Sequence, residues 1–515
     1  METNVSGLPH AWRDARISEV TSVNPTFDKA GIPDDLEISF VPMPAVQAES
    51  GIIDVSTNRK FSEVKKGYTP FREGDVLFAK ITPCMENGKM AVVPEVRNGI
   101  GFGSTEFHVL RAQSGINAKY IYYYVSSQGF RREAEHNMSG AVGQRRVTTP
   151  YLSACEVPIP PTNEQHRIVA KIEELFSELD KGIENLKTAR AQLKVYRQAL
   201  LKHAFEGKLT AQWRAKNQDK LETADVLQKR IQQERAQRHQ QQLADWEAAD
   251  KQGSKPKTPK SLPPLTAEEL AELPELPEGW GWMKLGDLAS KITDGEHFKP
   301  SVKTEGVYFL SAKDVKHDGV SFDDPLFVNE ETAEKARSRC DPERNDILIV
   351  SRGATIGRMC IVNTDERFCL LGSVILVKAI AAVQSRYLLS ALKSPLVNKK
   401  IVGVSGATAQ QAIYLRDIQH VPVPICSSLE QSKIVEELES KLTEVDQLEL
   451  TIITALQQAE ALRQSILKKA FSGKLVPQDT HDEPASALLA RIKAERMEVT
   501  VKRRKNVSTK LIKET

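Results

Sequence analysis

Apolar residues recur every seven positions in two separate stretches of this 515-residue chain. In the first, Ile172, Leu179, Leu186, Leu193 and Leu200 share one heptad position, and Ile168, Leu175, Ala189 and Tyr196 its companion. In the second, Leu438, Val445, Ile452, Ala459 and Ile466 are joined by Ile434, Leu448, Ala455 and Leu462. A seven-residue apolar repeat with charged flanks predicts long helices that pair as a coiled coil. The helices should run from Glu164-Gln165 to Gly207 and from Glu430-Gln431 to Gly473, a constant offset of 266 residues. Gly182, Lys441 and Lys469 interrupt the seam. The endings RQALLKHAFEGKL and RQSILKKAFSGKL match closely, and each places glycine where a positive φ closes a helix.

The repeat extends to the globular segments. Leu8-Pro9-His10-Ala11-Trp12 answers Leu276-Pro277-Glu278-Gly279-Trp280, and Gly74-Asp75-Val76-Leu77-Phe78 answers Asn345-Asp346-Ile347-Leu348-Ile349. The latter pair reads as a turn followed by a buried strand. Val157-Pro158-Ile159-Pro160 and Val421-Pro422-Val423-Pro424 close each half before its long helix. One large duplication differs from a solenoid, which would show many short periods. The expected divisions are a globular domain at 1–162, a helix at 163–210, a polar helix and Lys/Pro/Ser linker at 211–274, a second globular domain at 275–427, a helix at 428–476, and a helical then basic, disordered tail at 477–515.

Composition narrows the function classes. A net charge of +3 does not by itself announce nucleic acid, so any DNA-binding surface must come from local clustering. Six scattered cysteines without a C-x-x-C pair argue against a zinc site or disulfide frame and fit a reducing, cytoplasmic setting. No apolar run reaches membrane-spanning length. Asn24-Pro25-Thr26-Phe27 approaches the N/D-P-P-Y/F site of adenine methyltransferases but lacks the second proline and a glycine-rich cofactor loop. A Walker-type phosphate loop and an H-E-x-x-H zinc motif are also missing, so neither a catalytic constellation nor a cofactor is expected.

Two variable halves, each closed by a V-P-hydrophobic-P strand and a long helix beginning Glu-Gln, with G-D-[IV]-L-type motifs inside, resemble the specificity subunit of a type I restriction–modification system. The resemblance implies an α+β fold: two mixed target-recognition domains joined by two long antiparallel coiled-coil helices, with a pseudo-two-fold from internal duplication. It also implies a non-catalytic reader of a bipartite sequence in double-stranded DNA. Its partners would be two methyltransferase subunits and restriction/translocase subunits, with no membrane. The insert from about Gln212 to Pro264 departs from the compact form of that family. Two alternatives stand beside this reading: a coiled-coil scaffold that binds DNA without sequence preference, and an enzyme whose site uses unremarkable residues.

Base-reading candidates come from polar loops, because Arg can meet guanine and Gln adenine in bidentate fashion. In the first half they are Lys80, Thr82, Asn87, Lys89, Gln144, Arg145 and Arg146; in the second, Ser351, Arg352, Thr355, Arg358, Thr408, Gln410 and Gln411. Phe205 and Phe471, at the matching helix ends, are the candidate partner-binding residues.

Overall fold

A computed structural model describes residues 7–141, 143–251, 255–256, 258, 261–297, 301–403 and 412–511, the last helix from 499 onward by its backbone alone. The chain forms two compact units, one of Met1–Lys187 with Ile453–Thr515 and the other of Thr188–Ile452. The long helices, Thr162–Phe205 and Ser428–Phe471, each contribute one end to either unit.

In the first unit, strands β1 (Arg13–Arg16) and β10 (Glu156–Ile159) pair antiparallel at the base of the globular half. Above them lies a four-stranded antiparallel sheet, in the order β2 (Thr21–Val23), β9 (Phe107–Ala112), β6 (Val76–Ala79), β7 (Met90–Val92). A second sheet orders β4 (Asn58–Lys60), β3 (Glu37–Val41), β8 (Gly101–Gly103) and β5 (Thr69–Phe71), with β3 and β8 parallel. The main core joins Trp12, Phe78, Tyr120 and Ile168 to Ile466, Leu467 and Ala470 of the second long helix, and to Leu488 and Ile492 of the helix Ala485–Leu511. Arg496 of that last helix donates to the carbonyls of Ser18 and Thr21. It runs helically to Leu511, past the basic run where a disordered tail was expected.

The second unit repeats the plan. Strands β11 (Gly281–Lys284) and β19 (Pro422–Ile425) pair at the base. The main sheet orders β12 (Ala289–Asp294), β18 (Val374–Ala379), β15 (Ile347–Val350), β16 (Met359–Ile361). The smaller sheet has three strands, β14 (Leu326–Val328), β13 (Val307–Leu310) and β17 (Phe368–Leu370), with β13 and β17 parallel. The core here includes Leu200, Leu201 and Phe205 of the first long helix, and Leu227 and Ile231 of the insert helix Ala224–Ala248. Glu234 of the insert accepts from the backbone N–H groups of Ala381 and Ala382 at 2.8 and 3.1 Å. The first turns of the insert are therefore structural, while most of its Gln-rich remainder is exposed.

The Glu-Gln pair that opens each long helix docks it. Glu164 accepts the indole N–H of Trp12 at 3.0 Å, and Glu430 that of Trp280 at 2.9 Å. Gln165 accepts from the Asn117 backbone and donates to the Pro160 carbonyl, and Gln431 does the same with Gln384 and Cys426. At the other ends Gly207 and Gly473 both have φ of 68°. A Cβ there would lie 2.3 Å from Pro277 and Pro9 respectively, so conformation and space both call for glycine.

Within the second unit Arg190 pairs with Glu449 and Arg197 with Asp446, so numbers rise along one helix as they fall along the other. Leu438, Val445 and Ile452 are buried there, but Tyr196 and Leu448 are about half exposed, as is Leu462 in the first unit. Along the middle of the long helices the expected two-column seam is thus one column, because two helices side by side cover a narrow stripe. The companion residues Ile168 and Ile434, at the helix starts, are instead buried in the globular cores.

Candidate nucleic-acid interface

The aspartate of each G-D-[IV]-L-type motif builds the turn that opens the strand whose far end carries the polar loop. Asp75 is buried, accepts from the Arg72 backbone and takes a bidentate pair from Arg111 at 2.8 Å. Asp346 accepts likewise from the Glu343 backbone and pairs with Lys378 at 2.8 Å. Both carboxylates lock the start of a central strand, β6 or β15.

In the first unit the loop after β6 meets a segment more than fifty residues distant. The Val147 N–H donates to the Lys80 carbonyl at 2.9 Å, and Thr82 N–H to the Arg145 carbonyl at 3.0 Å. Lys80, Thr82, Arg145 and Arg146 therefore share one edge. Arg146 holds Glu106 in a bidentate pair at 2.8 and 2.9 Å. That hydrogen bond keeps the Glu106 carboxyl below its ordinary range. Burial pushes the Lys80 ammonium down, against the pull of Glu106 and with the push of Arg146. Thr82 Oγ1 donates to Glu86 at 2.8 Å, and Lys89 Nζ reaches the Met43 carbonyl at 3.3 Å. Asn87 and Gln144 are exposed. On this edge Arg146 is already held by the Glu106 carboxylate, with which a phosphate or base edge must compete.

In the second unit, a bridge joins Arg352 to Ala412, and Ile413 N–H donates to the Ser351 carbonyl at 2.9 Å. The turn after β15 thus lies beside Ala412 and Ile413. Arg352 is exposed and Thr355 half-buried, while Arg358 donates to the Val315 carbonyl at 3.2 Å. Ser351 does not belong to a base-reading set: it is 2% exposed and held between Ser373 and Ile413, because it still continues the strand ladder. Thr408, Gln410 and Gln411 lie outside the described residues. Phe205 is 5% exposed and meets Tyr387 edge-on at 5.4 Å, so it belongs to its own core rather than to an open partner face. Phe471 is half-buried against Tyr120 and Tyr124.

Two features escaped sequence reasoning. Asn58, Arg59 and Lys60 are exposed on β4, at the edge of the small sheet, with Arg59 stacked 4.1 Å over Phe40. The basic run from Arg59 to Lys66 was the available signal. Asn24, in the discounted methyltransferase-like motif, has φ of 50°, accepts from Val109 N–H and meets His108 Nδ1 at 3.0 Å. Its role is to splice β2 onto β9.

The type I restriction modification DNA specificity domain model matches this chain twice, over residues 9–188 and 277–458. The chain belongs to that family. The specificity subunit of type I restriction enzyme EcoAI from Escherichia coli is 28% identical over 505 residues, covering 87% of this chain and 80% of the relative. The EcoEI specificity subunit, also from Escherichia coli, is 26% identical over 88% of this chain and 83% of its own length. Among solved structures, the HsdS subunit from Thermoanaerobacter tengcongensis shares the fold with a TM-score of 0.54 at 20% identity, covering 92% of this chain and all of the other. A chain from a study of complex assembly and conformational transition in a type I R-M system aligns with a TM-score of 0.64 at 21% identity, covering 91% and 99%. The chain is accordingly a specificity subunit, a recognition component and not an enzyme. Among the described residues no helix is long and apolar enough to cross a membrane.

Proposed function

We propose that each globular half reads one half of a bipartite sequence in double-stranded DNA, and that the chain gathers methyltransferase and restriction/translocase subunits around it. The observation that carries this reading is the convergence of remote polar loops on one edge of the first half, Lys80 and Thr82 with Arg145 and Arg146, with Arg352 of the second half bridged to Ala412 sixty residues on. Arginine, lysine and threonine gathered on an edge supply both phosphate contacts and base-edge donors. Asn87, Lys89 and Gln144 in the first half, and Thr355 and Arg358 in the second, extend these sets, and β4 adds phosphate contacts. Exposed apolar side chains on the long helices, Tyr196, Leu448 and Leu450 in the second unit and Leu462 in the first, are positions at which the methyltransferase subunits would dock. The two paired helices would relate the halves by an approximate two-fold and set the spacer between half-sites.

The test is selection from a randomised DNA library by the full chain assembled with its methyltransferase subunits. Two short defined motifs at a constant separation are expected. One contiguous motif would overturn the bipartite reading, and salt-dependent retention of all sequences alike would favour a scaffold without sequence preference.

A further inference from the structure

The amide that joins β2 to β9 continues into the loop edge of the first unit. Asn24 Oδ1 accepts from the Val109 N–H at 2.9 Å, which fixes the way the amide points. Its Nδ2 therefore donates, to His108 Nδ1 at 3.0 Å and to Thr149 Oγ1 at 3.3 Å. An imidazole that accepts at Nδ1 is neutral and carries its proton on Nε2. That N–H donates to the Val147 carbonyl at 2.8 Å. Burial, which pushes the His108 imidazole below its ordinary pKa, favours the same neutral form. His108 is 3% exposed and lies against the Phe78 ring, so packing also holds it in place.

Val147 is thus gripped from two sides. Its carbonyl accepts from β9, and its N–H donates to Lys80 just beyond β6. Arg145 and Arg146 are the two residues before it. The second unit differs at the matching register. Phe78 pairs with His108, whereas Ile349 pairs with Ile375. Ile375 has a hydrocarbon side chain and cannot hold a loop by hydrogen bonds. Since the sheet accepts a hydrocarbon at this register, the strand ladder does not itself require a histidine there.

We propose that Asn24 and His108 are positioning residues for recognition by the first half, holding the segment 145–149 so that Arg145 and Arg146 meet their half-site in register with Lys80 and Thr82. This rests on the reading that the loop edge faces DNA. Base contacts weaken steeply away from hydrogen-bond geometry, whereas attraction to phosphates depends mainly on charge. A segment released from the sheet therefore keeps its affinity for DNA in general and loses discrimination.

Competition binding by the full chain assembled with its methyltransferase subunits tests this, on the target recovered by library selection and on targets substituted in one half-site. His108→Ile installs the second unit's residue. It should lower discrimination at the half-site of the first half by at least about tenfold, with discrimination at the other unchanged. His108→Gln should restore most of it, because its amide nitrogen can donate to the Val147 carbonyl. Asn24→Gly, which tolerates a φ of 50°, should cause a loss at the same half-site and serves if His108→Ile fails to fold. Thermal unfolding and an intact reading of the other half-site show that a variant is folded. Unchanged discrimination in folded His108→Ile or Asn24→Gly, an equal loss at both half-sites, or a loss that His108→Gln shares in full overturns the proposal. Replacing Arg145 and Arg146 together by Ala separates the two levels. If that lowers discrimination and His108→Ile does not, the positioning role alone fails. If neither lowers it, the edge does not read DNA and both readings fall.

Discussion

The two units of this chain are built on one plan and differ in how firmly they hold it. Each anchors a long helix through a buried glutamate that takes a tryptophan N–H. Around Glu430 the second unit adds Thr210 at 2.7 Å and the guanidinium of Arg214 at 3.1 Å. Around Glu164 the first unit adds the neutral amide of Gln478. One carboxylate therefore sits in a buried ion pair, the other among uncharged donors with Arg167 and Asp482 nearby. The lesson is that the duplicated docking geometry tolerates different electrostatic solutions, so long as the helix start keeps its tryptophan.

Removing each carboxylate is the most forceful way to expose that difference. Glu430→Ala strands Arg214, whose side chain is 14% exposed, and is expected to cost about 3–5 kcal/mol as a broken buried pair. Glu164→Ala leaves neutral donors unsatisfied and is expected to cost about 1–3 kcal/mol. Chemical denaturation of both variants, followed by probes in each unit, checks the ranking. Equal losses would mean that the charge on Arg214 is solvated well enough to stand alone.

The reading edges give the next effect. Arg352→Ala should weaken binding by about 1–3 kcal/mol and relax one half-site, if the side chain holds a guanine. Arg146→Ala should act on the other half-site. Its loss should be accompanied by release of Glu106, so that Glu106→Gln alone also changes binding. Competition with point-substituted targets separates the outcomes. A uniform loss on all sequences would demote either arginine to a phosphate contact.

Much of this plan was legible in the chain. The long helices and their glycine ends follow from a seven-residue period that no other local signal competes with. The boundary strands follow from their prolines. The seam was overdrawn at Tyr196, Leu448 and Leu462, because a heptad pattern says that two columns are apolar but not how many neighbours cover them. Loop contacts were half legible. Residue type marked Lys80, Arg146 and Arg352 as polar and reachable. Nothing local revealed that Arg146 would be held by Glu106, forty residues away, or that Ser351 would stay in the strand ladder. The insert could not be assigned from its Gln-rich composition, since Arg214, Leu227, Ile231, Glu234 and Arg235 dock it while most of its Gln-rich helix is exposed.

The smallest expected effect concerns protons, and it sharpens the same comparison. Burial raises the Glu164 carboxyl above its ordinary value, opposed by the hydrogen bonds from Trp12 and Gln478. A raised acid holds its proton more tightly folded than unfolded. Its contribution to stability is therefore fully present below the unfolded value, near pH 4.5, and is lost as pH rises through the folded one. Glu164→Gln removes that titration while leaving an amide oxygen for the Trp12 N–H, and Gln478 can turn its own oxygen toward the new amide nitrogen. Thermal midpoints across this window should show wild type losing ground to Glu164→Gln as pH rises. Glu430→Gln should instead be less stable than wild type, because the substitution discards the ion pair with Arg214. Parallel profiles for wild type and Glu164→Gln would mean that Glu164 keeps one protonation state throughout, and that the neutral surroundings of Gln478 hold a carboxylate as well as Arg214 does.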